Sequence, residues 1–270
     1  MSEHEKVRWL RAAYDARLRG WCAPLPSGAR EERDGPLLRV VGLHEGFVIG
    51  PRDLGVRGEG LDRLIGRQRD FFAARGEAVE WKTHGHDLPE DLPARLRAAG
   101  FLPEPPETVV IGEAARIAGI EAEPPPGVTL RTVSAPEDLE RFAQMQSEVW
   151  GRDLSHRARE LGDQRAVAPD AMVLLVAEAA GEVVCAARMT YVAGGAFAGL
   201  WGGSTLAAWR GRGIYRAMVA ARARMAAERG VRHLYVEASA DSAPILRRLG
   251  FVAVTTTTPY LWSPPAPRRG

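Results

Sequence analysis

Residues 209–219, WRGRGIYRAMV, place two glycines and three arginines in a short stretch just ahead of an apolar helix. A turn of small residues that opens a helix leaves several backbone N–H groups without acceptors at one point, and the helix dipole favours negative charge there. Gly211 and Gly213 bring the main chain close to an anion with no Cβ in the way, and Arg210 and Arg212 add cationic donors. A pyrophosphate fits such a turn. The same glycines also serve a tight strand-to-helix connection with no ligand, and the local residues leave both readings open. The familiar nucleotide motifs match poorly: a dinucleotide fingerprint needs glycine where Arg216 stands, and a P-loop needs Gly-Lys-Ser/Thr, which is absent. His84, His86 and Asp87 invite a metal reading, but such residues beside a strand end usually make a turn, and without a fourth ligand we expect no metal. His156 reads as a solvated histidine in a loop, residues 151–169, that could act as a lid.

The elements that must position the glycine turn follow from periodicity. Ile214, Met218, Ala221 and Met225 share one face of a helix that ends at Gly230, where a left-handed C-terminal cap belongs. His233–Ala238 reads as a strand, Ser242–Leu249 as a second helix and Phe251–Trp262 as a final strand. Ahead of the turn stand the strand Val128–Val133 and the helix Asp138–Val149, for which Ser134 supplies an N-cap and Glu137 completes a capping box. The strands Met172–Glu178 and Glu182–Val192 follow, joined at Ala180-Gly181, and then Ala198–Leu206 runs into the turn.

The first half repeats this plan in shorter form. It offers the hairpin Leu37–Gly50, the helix Leu61–Arg75, the strand Ala78–Thr83, the helix Leu92–Ala99 and a strand near Thr108–Gly112. Three landmarks recur in order: RGEGL with RGRGI, FAARG with MAAERG, and LRAAGF with LRRLGF, spaced by 153, 154 and 150 residues. Preserved order and spacing point to a tandem duplication. In the first copy Glu59 replaces Arg212 and Asp62 replaces Tyr215; carboxylates beside the amides repel pyrophosphate and can cap the helix themselves.

A chain of 270 residues fits two modest domains, which we place at 1–121 and 128–263, with a proline-rich linker at 122–127 and a mobile tail at 264–270. The longest uninterrupted apolar stretch, 171–177, is too short to span a bilayer, so we expect no membrane partner. The charged N-terminus lacks the apolar core of a secretory signal, and we expect a cytoplasmic protein. Cys22 and Cys185 stand far apart with no CxxC and read as buried thiols. A net charge of +2 with no run of five like charges gives no nucleic-acid footprint. Oligomeric state is left open.

Strand, RGRGIY, helix, Gly, strand, helix, Leu-Gly-Phe, strand: over Val128–Trp262 this order resembles the acyl-CoA half of the GNAT superfamily of N-acyltransferases. Its signature is Arg/Gln-x-x-Gly-x-Gly/Ala; Arg210 and Gly213 match, and Tyr215 stands where glycine or alanine is usual. The resemblance implies an α+β, three-layer fold with two tandem GNAT-like domains, the first degenerate, in which mixed, mainly antiparallel sheets are flanked by helices. It implies acetyl-CoA as cosubstrate and a primary amine of a small molecule or peptide as acceptor. On the family's pattern the amides of Arg210, Gly211, Arg212, Gly213, Ile214 and Tyr215 would hold the pyrophosphate, and Gly203, Ser204 and Thr205 would pair with the pantetheine amides as an added strand does.

The family's asparagine is missing, with Ser239 nearest by spacing and Ser242 close by, and its tyrosine is replaced by Leu246, which donates no proton. A thiol ionises near pH 8.5, so thiolate leaves tolerably well without that tyrosine. Glu237 is the best-placed base, although a salt-bridged Glu at a strand end reads equally well. Glu148, Trp150 and Tyr191 would line the acceptor side; ordinary helix amphipathicity is the rival explanation for the first two. Two other functions share these residues: an acyl-CoA-binding module without turnover, and an acyltransferase acting on protein lysines or N-termini.

Overall fold

A computed structural model describes residues 2–20 and 23–265. Cys22, and residues 266–270 of the expected tail, lie outside the described residues. In chain order the first half contains α1 (Glu3–Arg17), β1 (Arg30–Asp34), β2 (Leu37–Val41), β3 (Glu45–Ile49), α2 (Gly58–Arg75), β4 (Ala78–His84), α3 (Leu92–Ala98) and β5 (Leu102–Pro103). Next come β6 (Glu107–Glu113), α4 (Ala114–Ala118), β7 (Val128–Thr132), α5 (Pro136–Trp150), α6 (His156–Val167), β8 (Met172–Ala179) and β9 (Glu182–Tyr191). The chain closes with β10 (Phe197–Thr205), α7 (Ile214–Glu228), β11 (His233–Ala238), α8 (Ala243–Arg248) and β12 (Val252–Trp262).

These elements form two compact units that are discontinuous in sequence. Of the described residues, unit 1 takes 2–20, 28–109 and 254–265, and unit 2 takes 23–27 and 110–253. The units therefore part at Val109/Val110 and Ala253/Val254, whereas the proline-rich stretch 122–127 joins α4 to β7 inside unit 2. The reason is strand partnership. From Val110 on, β6 lies beside β11, and α4 buries Ala114 and Ile117 in the same core as Val219 and Ala223 of α7. From Val254 on, β12 serves unit 1, running antiparallel to β4 from Thr257 opposite His84 to Trp262 opposite Val79.

Unit 2 has three layers. Its sheet runs β6-β11-β10-β9-β8-β7, with β10 and β11 parallel and β7, β8, β9 and β10 antiparallel in succession. On one face, α7 packs Ile214 and Met218 onto Leu175, Ala177, Cys185 and Ala187, while its other buried side, Val219, Ala223 and Ala226, meets α4 and α8. Two sides of α7 are covered, so the single apolar stripe read from the sequence is half of what it buries. On the opposite face α5 presents Leu139, Phe142 and Met145, and α6 presents Leu161, to Met172, Leu174, Val176 and Ala186.

Two local expectations change. The N-cap of α5 is Ala135, with no side-chain hydrogen bond, instead of Ser134; Pro136 at the first helical position fixes the backbone there without a cap. The supposed loop at 151–169 holds α6, so His156 begins a helix, and that helix escapes a pattern search because Leu161 is its only buried residue.

In unit 1 the sheet runs β1-β2-β3-β4-β12, with β5 paired to β12. α2, α3 and the sheet enclose Leu61, Ile65, Phe72, Trp81, Leu92, Leu96 and Phe101. The N-terminal α1 has a full capping box, Ser2 with Glu5, and buries Leu10 and Tyr14. No described helix is long and apolar enough to cross a membrane.

Candidate functional site

At the start of α7 both glycines take left-handed backbone angles, φ 75° at Gly211 and 82° at Gly213, which side-chain-bearing residues rarely adopt. The positions where a Cβ would stand are open, so glycine is required here by conformation and not by crowding. None of the amide N–H groups from Gly211 to Arg216 donates a hydrogen bond within the described residues; the first helical bond runs from Ala217 to the carbonyl of Gly213, at 3.0 Å. Six consecutive donors thus converge on one exposed corner at the positive end of a 15-residue helix.

Arg210 differs from its sequence-based role. Its own amide donates to the Ala207 carbonyl at 3.3 Å, and its guanidinium Nε donates to the Thr205 carbonyl at 3.1 Å, tying the strand end to the turn. Arg212 lies 4.7 Å from the Trp209 ring, held as an exposed cation beside the free amides.

The strand that feeds this turn has an open edge. β10 pairs with β11 only over Phe197–Gly199, opposite His233–Tyr235, and then continues six residues further, Leu200–Thr205, while pairing with β9 on its other side. The register shifts between Trp201 and Ser204; the Gly202 carbonyl accepts from Gln146 Nε2 at 2.7 Å, and Ser204 Oγ accepts from the Trp150 indole at 2.9 Å. Gly203 has its Cβ position 2.7 Å from a ring carbon of Tyr215, so any larger residue there collides with that ring. The Tyr215 phenol points to Ser242 and is raised in pKa by burial. Ser242 and Ser239 share a hydroxyl contact of 3.2 Å. Leu246 is fully buried in the core, so no proton donor stands at that position.

Strand alternation sorts the remaining candidates. Leu234 and Val236 face the α7 core, so Tyr235 and Glu237 face the α5–α6 side, Glu237 two residues past the last β10–β11 pair. Arg188 and Thr190 pair with Leu174 and Met172, which belong to the α5–α6 core, so they share that side. Trp201, opposite Arg188, donates its indole N–H to Thr190 Oγ1 at 2.7 Å and meets Tyr235 edge-to-face at 5.4 Å. Trp201, Tyr235, Arg188 and Thr190 were missed from the sequence; the period of two through Gly199, Trp201 and Tyr235, Glu237 was the signal that could have found them.

Other expected site residues lie elsewhere. Glu148 is exposed on α5, turned away from Gln146 and Trp150, which are the residues of that helix that reach β10. Tyr191 lies on the α7 face under Arg229, 4.4 Å from its ring, at the C-terminal end of α7 and so a helix length from the glycine turn. Cys185 is a buried free thiol, pushed up to about 11 by burial. His84, His86 and Asp87 do make a turn, Asp87 donating its amide to the His84 carbonyl at 3.0 Å, but α1 builds a network onto it. His84 Nε2 bonds Tyr14 at 3.0 Å, Asp87 pairs with Arg19 at 2.5 Å, and His86 bridges Asp15 at 2.9 Å and Thr255 at 2.7 Å. Among the described residues no group of three or more His, Cys, Asp and Glu could hold a metal ion.

Known proteins give this arrangement a context. Residues 139–251 match the model of the Acetyltransferase (GNAT) family. No curated protein matches the sequence. Among solved structures, a GCN5-related N-acetyltransferase from Kribbella flavida superposes with a TM-score of 0.65 at 18% identity, covering 90% of this chain and 91% of that one. A tandem GNAT protein from the clavulanic acid biosynthesis pathway superposes with a TM-score of 0.62 at 16% identity, covering 98% and 97%. A GCN5-related N-acetyltransferase from Sphaerobacter thermophilus gives 0.59 at 18% identity, covering 86% and 82%. The mixed sheet flanked by helices is thus the GNAT-like fold, and residues 139–251 within it match the model of the GNAT acetyltransferase family.

Proposed function

We propose that unit 2 is an N-acetyltransferase that moves an acetyl group from acetyl-CoA to a primary amine of a small molecule or peptide. The observation that carries this reading is the run of six uncommitted amides, Gly211 to Arg216, beside an unpaired strand edge. The amides and Arg212 hold the diphosphate. The free edge at Gly203, Ser204 and Thr205 pairs with the amides of the pantetheine arm, and the Ser239 hydroxyl bonds the same cofactor. The acceptor approaches from the α5–α6 side, past Trp201 and Tyr235. Its nitrogen attacks the thioester carbonyl, a C–N bond forms, the C–S bond breaks, and Glu237 takes the amine proton directly or through one water. Coenzyme A leaves as a thiolate protonated from solvent, because Leu246 is sealed in the core.

We read the chain as a duplication of this fold that breaks in sequence near 122–127, the first copy no longer binding the carrier, in a protein of the cytoplasm. One observation favours a second reading, an acyl-CoA-binding module without turnover: no phenol replaces Leu246 on α8. Thiol release from acetyl-CoA with a panel of amines separates the two. Turnover with an acetylated product supports the enzyme; tight acetyl-CoA binding with no thiol release across the panel supports the module.

A further inference from the structure

Arg188 is a cation in an unusual setting. It lies near the middle of β9, in the interior of the unit 2 sheet, on the face that carries Trp201, Thr190 and Tyr235. Its guanidinium makes no hydrogen bond or ion pair with any described residue, although its own carbonyl accepts from the buried Arg222 at 3.1 Å. Burial, and after it the like charge of Arg157 on α6, push it down to about 10, against the opposing charge of Glu160 on the same helix. Arg157 in turn is placed by Gln146, at 3.4 Å, the same glutamine that holds the bulged Gly202 carbonyl. Arg157 thus adds a like charge near Arg188 and Glu160 an opposing one, but no ion pair joins Arg188 to a carboxylate of the described residues. Arg188 is partly exposed and none of its nitrogens is sealed from solvent, so its donors, unused within the described residues, stay open to an anion, and a carboxylate matches that planar fork with two parallel bonds.

We infer that Arg188 is the acceptor's anchor: the amine that this site acetylates carries a carboxylate, which Arg188 grips in bidentate fashion while Arg157 reinforces the positive field. The inference rests on the acetyl-transfer reading and narrows its substrate class to amino acids and related carboxylated amines. Trp201 and Tyr235 flank the approach, so the carbon skeleton between amine and carboxylate meets aromatic walls.

The test uses the full chain with saturating acetyl-CoA. Thiol release is measured for free amino acids and, in matched pairs, for their amides, with O-phosphorylated amino alcohols as a further arm. The expected result is at least one amino acid whose kcat/KM exceeds that of its amide about tenfold or more. Arg188→Gln should then raise KM for that acid about thirtyfold with kcat within about threefold, leave the amide nearly unaffected, and be partly rescued by Arg188→Lys. Melting temperatures of both variants guard against simple misfolding, and the acid-against-amide contrast is not produced by a loosened fold. Equal use of acid and amide, preference for the phosphorylated amines, or equal losses on both substrates in Arg188→Gln overturns the inference while leaving acetyl transfer standing. Calorimetry with acetyl-CoA alone is read separately: if nothing binds, the acetyl-transfer reading fails and this inference with it.

Discussion

The turn at 210–213 and its counterpart at 57–60 are spelled almost alike, yet only the first leaves the amides at its helix start without an acceptor. In unit 1 the amides of Gly60 and Leu61 both donate to the Arg57 carbonyl, at 3.1 and 3.4 Å, so the helix closes on itself. The charged residues around it are paired: Arg57 with Asp53 at 2.8 Å, Glu59 with Arg63 at 3.3 Å, and Asp62 with Arg95 at 2.7 Å. The carboxylates do not cap α2 as the sequence suggested; Arg95 takes Asp62 instead. The neighbouring strands differ in the same sense. β3 stays paired with β4 through Ile49, and the pairing resumes as Leu88 bonds Arg52 and Leu54 at 2.7 and 3.0 Å, whereas β10 leaves β11 after Gly199. Arg19 adds a bond to the Gly50 carbonyl at 3.1 Å. The same glycine spelling thus stands beside an open strand edge in one unit and a paired one in the other, and four letters of sequence do not record that.

The largest effect on this contrast is expected from Gly213→Val. A branched residue at φ 82° strains the turn by about 1–3 kcal/mol and redirects its amides, so acetyl-CoA affinity should fall about a hundredfold by calorimetry. On the other side of the comparison, Asp87→Asn takes one carboxylate from Arg19, which keeps Asp15, and removes the one beside His84, and should lower unfolding stability by about 2 kcal/mol in denaturant titrations. Burial alone would raise Asp87 and Asp15, but bonds from the histidines and Arg19 outweigh it, so both are held below the usual aspartate range. Their contribution is present above the unfolded pKa and lost as pH falls through the lowered folded values. Stability should therefore decline below about pH 4, less steeply in Asp87→Asn.

Arg212→Glu, which copies the first half, should weaken acetyl-CoA about tenfold and lessen its salt dependence, through one lost cation and one gained repulsion. The smallest effect is expected from the reverse graft. Glu59→Arg with Asp62→Tyr should create no acetyl-CoA binding in unit 1, because the amides there remain spent and the strands remain closed; measurable binding at that turn would remove the distinction between the two units.

Much of this was legible in the residues. Helices and strands with a clear apolar period, such as α7, β8 and β9, appear within a residue or two of their expected limits. The elements that escaped are those whose side chains hide the period: β1 is the charged string Arg30–Asp34, and α6 buries one leucine. α1 carries its signal openly, in the capping box of Ser2 and Glu5 and in the buried Leu10 and Tyr14. Of the candidate site, the glycine turn is legible locally because free amides are a backbone property of six consecutive residues. Arg188, Trp201 and Tyr235 are not, since they converge from three strands whose register is set by the whole sheet. Tyr191 shows the same limit: it stands on β9 with Arg188, on the opposite, α7 face.

A structure of the protein grown with coenzyme A tests the central claim most directly. The diphosphate should lie within about 2.7–3.2 Å of amides between Gly211 and Arg216, with Arg212 turned onto it and the turn at 57–60 bare. Coenzyme A bound at another place, or a well-occupied ligand whose diphosphate leaves those six amides facing solvent, would contradict it.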